Sequence, residues 1–212
     1  MKNTFDLSLY LVLDPGLCGA YGMVETTRDA VAGGATMIQL RMKDASSQER
    51  TEVGRALKQI TDGTDTKLII NDDVEAALAI DADGVHVGQA DDGPALVRDM
   101  LGPDKIVGLS IDGLEIARNF DPTPVDYIGA GPVFATATKP NHAPPVGFEG
   151  LAEMIRIAGL PAVAIGGLNA GHVEATFAAG ADGIAVVSAI CGQPNPKEAT
   201  STLFQAIQKF KR

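Results

Sequence analysis

The chain has 212 residues, 45% of them hydrophobic, which suits one globular domain with a full core. Its 17 basic and 27 acidic residues give a net charge of −10, which argues against non-specific binding to nucleic acid or to an anionic membrane surface. No stretch reaches the roughly 18 apolar residues of a spanning helix, and no signal-peptide pattern is present, so we expect a soluble cytoplasmic protein.

Eight short apolar runs, most of them rich in β-branched residues, have the composition of strands buried on both faces of a parallel sheet. In chain order they are Leu9–Leu13, Thr36–Arg41, Leu68–Asn71, Gly84–Val87, Ile106–Leu109, Tyr127–Gly129, Ala162–Ile165 and Gly183–Val187. The helix-compatible segments between and after them are Thr26–Ala32, Ser47–Thr61, Val74–Ile80, Pro94–Leu101, Gly113–Asn119, Phe148–Ala158, Ala170–Ala179 and Pro196–Phe210. This alternation predicts an α/β fold, a single (β/α)₈ TIM barrel that forms one domain over residues 1–212.

One connection departs from the regular alternation. Residues 133–147, after the sixth strand, contain Pro140, Pro144 and Pro145 and show no helical pattern. Loops of this length inside a compact domain are usually lids or binding loops, so we expect this loop to contribute to a functional site. The alternative interpretation is an irregular surface loop that takes no part in a functional site.

The second strand ends in a polar sequence at the edge of the barrel where the functional site of this fold lies. Gln39, Arg41 and Lys43 alternate along the chain, so they share one face and are expected to point into the barrel mouth. Two cations beside an amide suit a polyanion, because Arg offers a planar fork of donors and Lys a point charge. A solvated strand terminus is the competing interpretation.

Acidic residues follow the third and fourth strands. Asp72 comes directly after the third strand, and Asp91 lies just beyond the fourth. Mg²⁺ prefers oxygen ligands, typically one or two carboxylates with phosphate and water, so the two acids predict a magnesium site that bridges to a diphosphate. Helix capping competes with this hypothesis, since Asp72 or Asp73 could cap the third helix and Asp92 the fourth. Capping explains one acid of the pair Asp72 and Asp73 and one of the pair Asp91 and Asp92, and it leaves the other acid of each pair unexplained.

The remaining strand ends suggest a second anion site. Its candidates are Thr136, Thr138 and Lys139 in the long loop, Gly166 and Gly167 after the seventh strand, and Ser188 after the eighth. Barrels often bind a phosphate with the loops after strands seven and eight, where backbone N–H groups approach the oxygens. The glycine pair also fits a tight turn before a helix capped by Asn169. Two anion sites in one mouth indicate one substrate with a diphosphate leaving group and another with a phosphate handle.

Seven motifs in order resemble the thiamine-phosphate synthase family, from about Leu9 to Ile190. They are Gln39–Lys43, Asn71–Asp73, Asp83–Asp91, Gly108–Ser110, Gly129–Lys139, Ala164–Gly167 and Val186–Ile190. The resemblance implies a transferase with two small-molecule substrates, 4-amino-5-hydroxymethyl-2-methylpyrimidine diphosphate and 4-methyl-5-(2-phosphoethyl)thiazole. Their condensation gives thiamine phosphate and pyrophosphate, and the implied cofactor is Mg²⁺.

The resemblance also implies a role for individual residues. On the pyrimidine diphosphate side the matching residues are Gln39, Leu40, Arg41, Met42, Lys43, Asn71, Ser110 and Lys139, and the Mg²⁺ ligands are Asp72 and Asp91. On the thiazole phosphate side they are Thr136, Ala137, Thr138, Gly167, Val187 and Ser188. The family reaction is thought to be dissociative, so Arg41, Lys43 and Lys139 are expected to act in catalysis by stabilising the leaving pyrophosphate, and Ser110 by contacting the pyrimidine.

One position departs from the family pattern, and two alternatives remain open. Asp112 stands where relatives often carry a histidine, two residues after the serine of the fifth strand. A thiazole tautomerase-like isomerase would need the monophosphate site but not the diphosphate and metal site, and it would favour that histidine. A non-catalytic barrel that binds thiamine precursors is the second alternative. We also consider a homo-oligomer possible, and we interpret Cys18 and Cys191 as ordinary reduced thiols.

Overall fold

The computed structural model describes residues 4–89, 91–136, 138 and 143–211. Eight parallel strands follow one another around a closed barrel, and pairing between the first and last strands completes it. The strands are β1 Leu9–Leu13, β2 Met37–Leu40, β3 Lys67–Asn71, β4 Gly84–Val87, β5 Ile106–Ile111, β6 Tyr127–Ala130, β7 Ala162–Ala164 and β8 Gly183–Val186. The predicted (β/α)₈ architecture is confirmed.

Helices lie in the connections and after the last strand. They are α1 Pro15–Cys18, α2 Met23–Gly33, α3 Ser47–Thr61, α4 Val74–Ala79, α5 Pro94–Leu101, α6 Leu114–Asn119, α7 Gly147–Ala158, α8 Val173–Ala178 and α9 Pro196–Gln208, with 3-10 turns at Gly19–Tyr21 and Ala170–His172. Helix α1 was missed from the sequence because four residues are too few to show a helical period. It forms because the Asp14 side chain accepts a hydrogen bond from the Leu17 N–H (2.9 Å) and Pro15 fits the first turn.

The strand residues alternate between two apolar layers. In β1, Leu9, Leu11 and Leu13 belong to the core between the barrel and the helices, whereas Tyr10 belongs to the barrel interior. The buried interior residues are Leu7, Tyr10, Met37, Ile69, Ile106, Tyr127, Val163 and Ala185, most of them near the amino ends of the strands. The interior is therefore a packed core below an open mouth at the carboxyl ends, as is usual for this fold.

Three aspartates join neighbouring elements at the amino end of the barrel. Asp83, Asp126 and Asp182 accept hydrogen bonds from the backbone N–H groups of Leu68, Val107 and Ala162 at 2.9, 2.9 and 2.8 Å. Asp126 also pairs with the Arg98 guanidinium at 2.5 Å. The Asp126 side chain is largely buried. Its removal therefore takes one partner away from the Val107 N–H and one from the Arg98 guanidinium.

We expect the Asp126→Ala variant to lose about 2–3 kcal/mol of unfolding free energy through these two lost contacts. Asp99→Ala is the matched control, since Asp99 is exposed on α5, and its effect should stay within about 0.5 kcal/mol. Urea denaturation of both variants measures the difference. Equal stability of the two variants would show that Asp126 does not support the barrel.

Candidate active site

A cavity of about 360 Å³ opens at the carboxyl ends of the strands, and all eight strands or the loops that follow them contribute to its lining. Most of the predicted site residues meet there. Those that line it are Gln39, Arg41, Lys43, Asn71, Asp72, Asp91, Ser110, Thr136, Thr138, Gly167, Val187 and Ser188. The cavity therefore joins residues that are up to about 150 positions apart in the sequence, as the barrel topology requires.

Among the described residues, two of those predicted, Leu40 and Met42, do not line the cavity. Leu40 is fully buried in the layer between barrel and helices, and Met42 packs against the same layer. Both alternate with Gln39, Arg41 and Lys43, so the inward orientation of one set directs the other away from the mouth. Ala137 and Lys139 lie outside the described residues.

The polar centre of the cavity is the Asp72 carboxylate. Its Oδ2 contacts the Lys43 Nζ at 2.5 Å and accepts a hydrogen bond from the Asn71 amide nitrogen. Its Oδ1 is buried and has no hydrogen-bond partner within the described part of the chain. A buried carboxylate oxygen without a partner is costly, and it marks a place where a cation or a ligand atom would bind favourably.

Asp72 also has an unusual backbone conformation. Its φ of 65° lies in the left-handed region, which non-glycine residues rarely adopt and which is enriched at functional sites. The next residue, Asp73, accepts hydrogen bonds from the Ala76 N–H (2.8 Å) and the Arg50 guanidinium (3.0 Å). Asp73 is thus the N-cap of α4, and Asp72 instead lines the cavity.

Asp91 lies close to Asp72 and completes an acidic pair. Its Oδ2 accepts a hydrogen bond from the Gly88 N–H at 2.8 Å. Gly93 is the N-cap of α5 and no side chain caps that helix, so the alternative that Asp92 is the cap is wrong. In the described residues no group of three or more His, Cys, Asp or Glu side chains forms a metal cluster. Two carboxylates are nevertheless a sufficient protein contribution for Mg²⁺, which commonly takes phosphate and water as its other ligands.

The two carboxyl groups influence each other's ionisation. Burial raises the pKa of Asp72, and the neighbouring Asp91 raises it further, against the opposing effect of Lys43. Burial also acts to raise the pKa of Asp91, but the neighbouring Asp72 and the hydrogen bond from the Gly88 N–H hold it below the usual value. Two close carboxyl groups of this kind favour either a shared proton or a bound cation between them. These residues therefore fit a magnesium ion.

The floor of the cavity is a chain of hydrogen bonds that the sequence did not predict. It runs from Gln39 Nε2 to Tyr10 Oη (2.9 Å), Tyr127 Oη (2.8 Å) and His86 Nδ1 (2.9 Å), and from His86 Nε2 to Ser110 Oγ (3.0 Å). Gly108 makes room for it, because a Cβ there would lie 2.2 Å from the Tyr127 ring and 2.5 Å from His86 Nδ1. The chain thus links strands β1, β2, β4, β5 and β6 below the mouth.

One direction of donation satisfies the whole chain. Tyr10 accepts from Gln39, so its own O–H donates to Tyr127, which in turn donates to His86 Nδ1. The imidazole then carries its proton on Nε2 and donates to Ser110. This order leaves the Gln39 carbonyl oxygen as an acceptor and the Ser110 hydroxyl proton as a donor for a bound molecule.

Arg41 stands at the rim of the cavity beside β1. Its guanidinium lies 3.7 Å from the Asp14 carboxylate, a distance that holds the side chain near the mouth without a short hydrogen bond. Both side chains are about one-fifth exposed. Arg41 therefore remains available to an anion that approaches from above the Asp72 and Asp91 pair.

The other wall of the cavity consists of the turns after β7 and β8. Gly166 and Gly167 have φ of 94° and 66°, and a Cβ on Gly167 would lie 2.8 Å from the Ala135 carbonyl oxygen. The long loop after β6 packs closely here, since the Phe134 N–H donates to the Gly166 carbonyl at 3.1 Å. Ser188 is exposed on the neighbouring turn after β8. Small residues and a hydroxyl leave this wall open to a phosphate-sized group.

The chain is similar to known proteins over most of its length. The profile of the family described as thiamine monophosphate synthase matches residues 9–190. The chain belongs to this family.

Members of the thiamine monophosphate synthase family resemble the chain over nearly its whole length. A relative from Azorhizobium caulinodans, described as a thiamine-phosphate synthase, is 47% identical over 212 residues, which are all of both chains. A relative of the same description from Solidesulfovibrio magneticus is 50% identical over 203 residues, 96% of each chain. The solved thiamine phosphate pyrophosphorylase from Pyrococcus furiosus is 37% identical, with a TM-score of 0.86 over 96% of each chain. The predicted thiamine-phosphate synthase function and transferase class are confirmed.

Membership of the family does not test all of the sequence predictions. No described helix is long and apolar enough to cross a membrane. The expected cytoplasmic location and homo-oligomer stay predictions. Among the cavity residues, His86 and Gln89 were not predicted, although His86 alternates with two buried valines in β4 and so had to face the interior.

Proposed function

We propose that the cavity binds the pyrimidine diphosphate and the thiazole phosphate side by side and joins them with loss of pyrophosphate. The observation that carries this proposal is the buried Asp72 Oδ1, which has no hydrogen-bond partner among the described residues. It lies beside Asp91, with Lys43 and Arg41 on the same side of the mouth. A cation held by two carboxylates and flanked by two basic side chains is suited to a diphosphate. An isomerase acting on a monophosphate would have no use for this half of the cavity.

Asp72 and Asp91 would hold the Mg²⁺ ion. When bound, the ion supplies positive charge that stabilises the departing diphosphate. Lys43, which contacts Asp72 in the free cavity, would turn its Nζ toward the diphosphate oxygens. Within the described part of the chain, Arg41 has only the long contact with Asp14 to give up. By resemblance, Lys139 adds a third basic side chain.

The floor of the cavity would bind the aminopyrimidine ring. Such a ring carries an exocyclic amino donor and ring nitrogen acceptors. The Gln39 carbonyl oxygen and the Ser110 hydroxyl proton are complementary to these groups, given the order of donation through Tyr10, Tyr127 and His86. Because the side chains of Tyr10 and Tyr127 are buried, the acceptor and the donor are fixed before a ligand arrives.

The wall formed by Gly167, Val187 and Ser188 would bind the thiazole phosphate. Thr136 and Thr138 face the same cavity, and the Thr138 N–H donates to the Thr136 hydroxyl oxygen at 3.2 Å. Hydroxyl and backbone N–H donors suit a phosphate dianion. The two substrates would then meet between the diphosphate wall and this one.

The chemistry follows from these positions. The bond between the pyrimidine methylene carbon and the diphosphate oxygen breaks, and both electrons leave with pyrophosphate. The thiazole ring nitrogen donates its lone pair to the resulting carbocation and forms the new C–N bond of thiamine phosphate. No protein nucleophile takes part, so the barrel contributes charge stabilisation by Arg41, Lys43 and Lys139 and close placement of the two substrates.

Steady-state turnover tests the proposal directly. The purified protein, supplied with Mg²⁺ and both substrates, should release one pyrophosphate for each thiamine phosphate formed. Omission of either substrate or chelation of the metal should stop both products. Binding of both substrates without any turnover would contradict the proposal and favour a non-catalytic barrel that binds thiamine precursors.

We expect Tyr127→Phe to weaken use of the pyrimidine diphosphate by roughly tenfold in KM, because loss of the hydroxyl frees the orientation of His86. Affinity for the thiazole phosphate should not change. Tyr21→Phe is the matched control, since it removes an exposed tyrosine hydroxyl that bonds Asp29 outside the cavity. Similar kinetics of the two variants would show that the floor chain does not position the ring.

A further inference from the structure

The only two cysteines of the chain meet in the folded barrel although 173 positions separate them. Their Sγ atoms lie 3.6 Å apart, and both side chains are buried. Cys18 is the last residue of α1, the helix that follows β1, and Cys191 lies in the turn that follows β8. Since β1 pairs with β8, closure of the barrel brings the two thiols together.

The backbone around the pair holds both sulfurs in place. The Cys18 N–H donates to the Asp14 carbonyl at 2.9 Å, and the Cys191 N–H donates to the Val187 carbonyl at 2.8 Å. Gly192, with φ of 76°, packs so closely that a Cβ there would lie 2.9 Å from the Leu17 carbonyl oxygen. The turn after β8 is therefore seated on α1, and the contact between the two sulfurs is part of that packing.

The geometry points to a redox-reactive pair: we propose that a peroxide oxidises the Cys18 sulfur and that Cys191 then closes an intrachain disulfide. This reaction does not depend on the function proposed for the cavity. The reaction modifies two cysteines that take no part in the binding of either substrate.

The steps balance with hydrogen peroxide as the oxidant. The Cys18 thiolate attacks one peroxide oxygen, the O–O bond breaks, and the sulfur becomes a sulfenic acid while the second oxygen leaves as hydroxide, which takes up a proton. The Cys191 sulfur then attacks the sulfenic sulfur, the S–O bond breaks, and the Cys191 proton leaves with that oxygen as water. Two thiols have lost two electrons and two protons, and one peroxide has become two waters.

Cys18 is the better initial nucleophile of the two. Its hydrogen bond with Cys191 lowers the pKa of Cys18 to about 7, although burial opposes this shift. The same contact, together with burial, raises the pKa of Cys191. The thiolate is the reactive form, so near neutral pH attack should begin at Cys18 and Cys191 should act second.

A small oxidant has a short path to the pair. Helix α1 is a single turn of four residues, and its Leu17 and the adjacent Gly19 are exposed. Gly192 and Gln193, directly after Cys191, are exposed as well. A short helix with exposed neighbours opens locally at low cost, which admits a peroxide more readily than a bulky alkylating reagent.

Treatment of the whole protein with hydrogen peroxide tests the proposal. We expect the free thiols to fall from two per chain to none, with a mass loss of two hydrogen atoms and a proteolytic peptide that joins Cys18 to Cys191. A thiol reductant should restore both. Disulfide-linked dimers, irreversible sulfinic or sulfonic acids in place of the linked peptide, or unchanged thiols would each overturn it.

Two serine variants test the order of events. Cys191→Ser should accumulate a sulfenic acid on Cys18 that dimedone traps, because the resolving thiol is gone. Cys18→Ser should give little adduct on Cys191 at the same peroxide dose. The reverse pattern would overturn the assignment of Cys18 as the attacking thiol, and the peptide map of the unaltered protein remains decisive if either variant folds poorly.

Discussion

Asp72→Asn is expected to lower turnover at limiting Mg²⁺ by about 10²–10³-fold while the barrel stays folded. Asn keeps the size of the side chain but removes the negative charge that faces Lys43 and replaces one of the two carboxylate oxygens with an amide nitrogen. The loss should be partly recovered at high Mg²⁺, because the variant weakens metal binding rather than abolishing the cavity. Initial rates across a Mg²⁺ titration measure this effect.

Asp73→Asn is the matched control for that experiment. Asp73 is the neighbouring acid, and Asn also caps helices well, so α4 should persist in this variant. Its apparent affinity for Mg²⁺ should remain close to that of the unaltered protein. Equal Mg²⁺ dependence of the two variants would contradict the assignment of Asp72 as a metal ligand.

The two halves of the cavity should be separable by mutation. Arg41→Ala should weaken the pyrimidine diphosphate, and Ser188→Ala the thiazole phosphate, because the two side chains lie on walls formed by different strand ends. Loss of a charge-assisted contact to phosphate costs about 1.5–3 kcal/mol, which corresponds to about tenfold or more in Kd.

Calorimetric titration of each variant with each ligand alone measures these affinities. Each variant serves as the control for the other, since both alter the same cavity. Arg41→Ala should leave the Kd of the thiazole phosphate within a factor of about two, which corresponds to about 0.4 kcal/mol. Equal losses for both ligands in both variants would show that the cavity has one anion site and not two.

Local sequence patterns were enough to predict the barrel and much of its mouth. Strand alternation placed Gln39, Arg41 and Lys43 on one face, and the parallel order of the strands placed Asp72 and Asp91 beside them. The same alternation shows why Leu40 and Met42, carried over by resemblance to a continuous motif, lie in the apolar layer instead.

Contacts that depend on closure of the barrel were beyond the sequence. The floor chain needs Tyr10, His86 and Tyr127 from three different strands, and nothing local indicates that their side chains meet. The pairing of Cys18 with Cys191 likewise exists only because the first and last strands are neighbours. Neither cysteine, taken separately in the sequence, indicates this contact.

We propose that the cavity accelerates departure of pyrophosphate and supplies no base or nucleophile. The single-turnover rate at saturating thiazole phosphate, compared between trifluoromethyl and methoxy analogues of the pyrimidine diphosphate, tests it most directly. Electron withdrawal destabilises a carbocation far more than it alters ground-state binding, so the trifluoromethyl analogue should react much more slowly than the methoxy analogue. Similar rates for the two analogues in a chemistry-limited regime would contradict the claim and indicate that attack and departure are concerted.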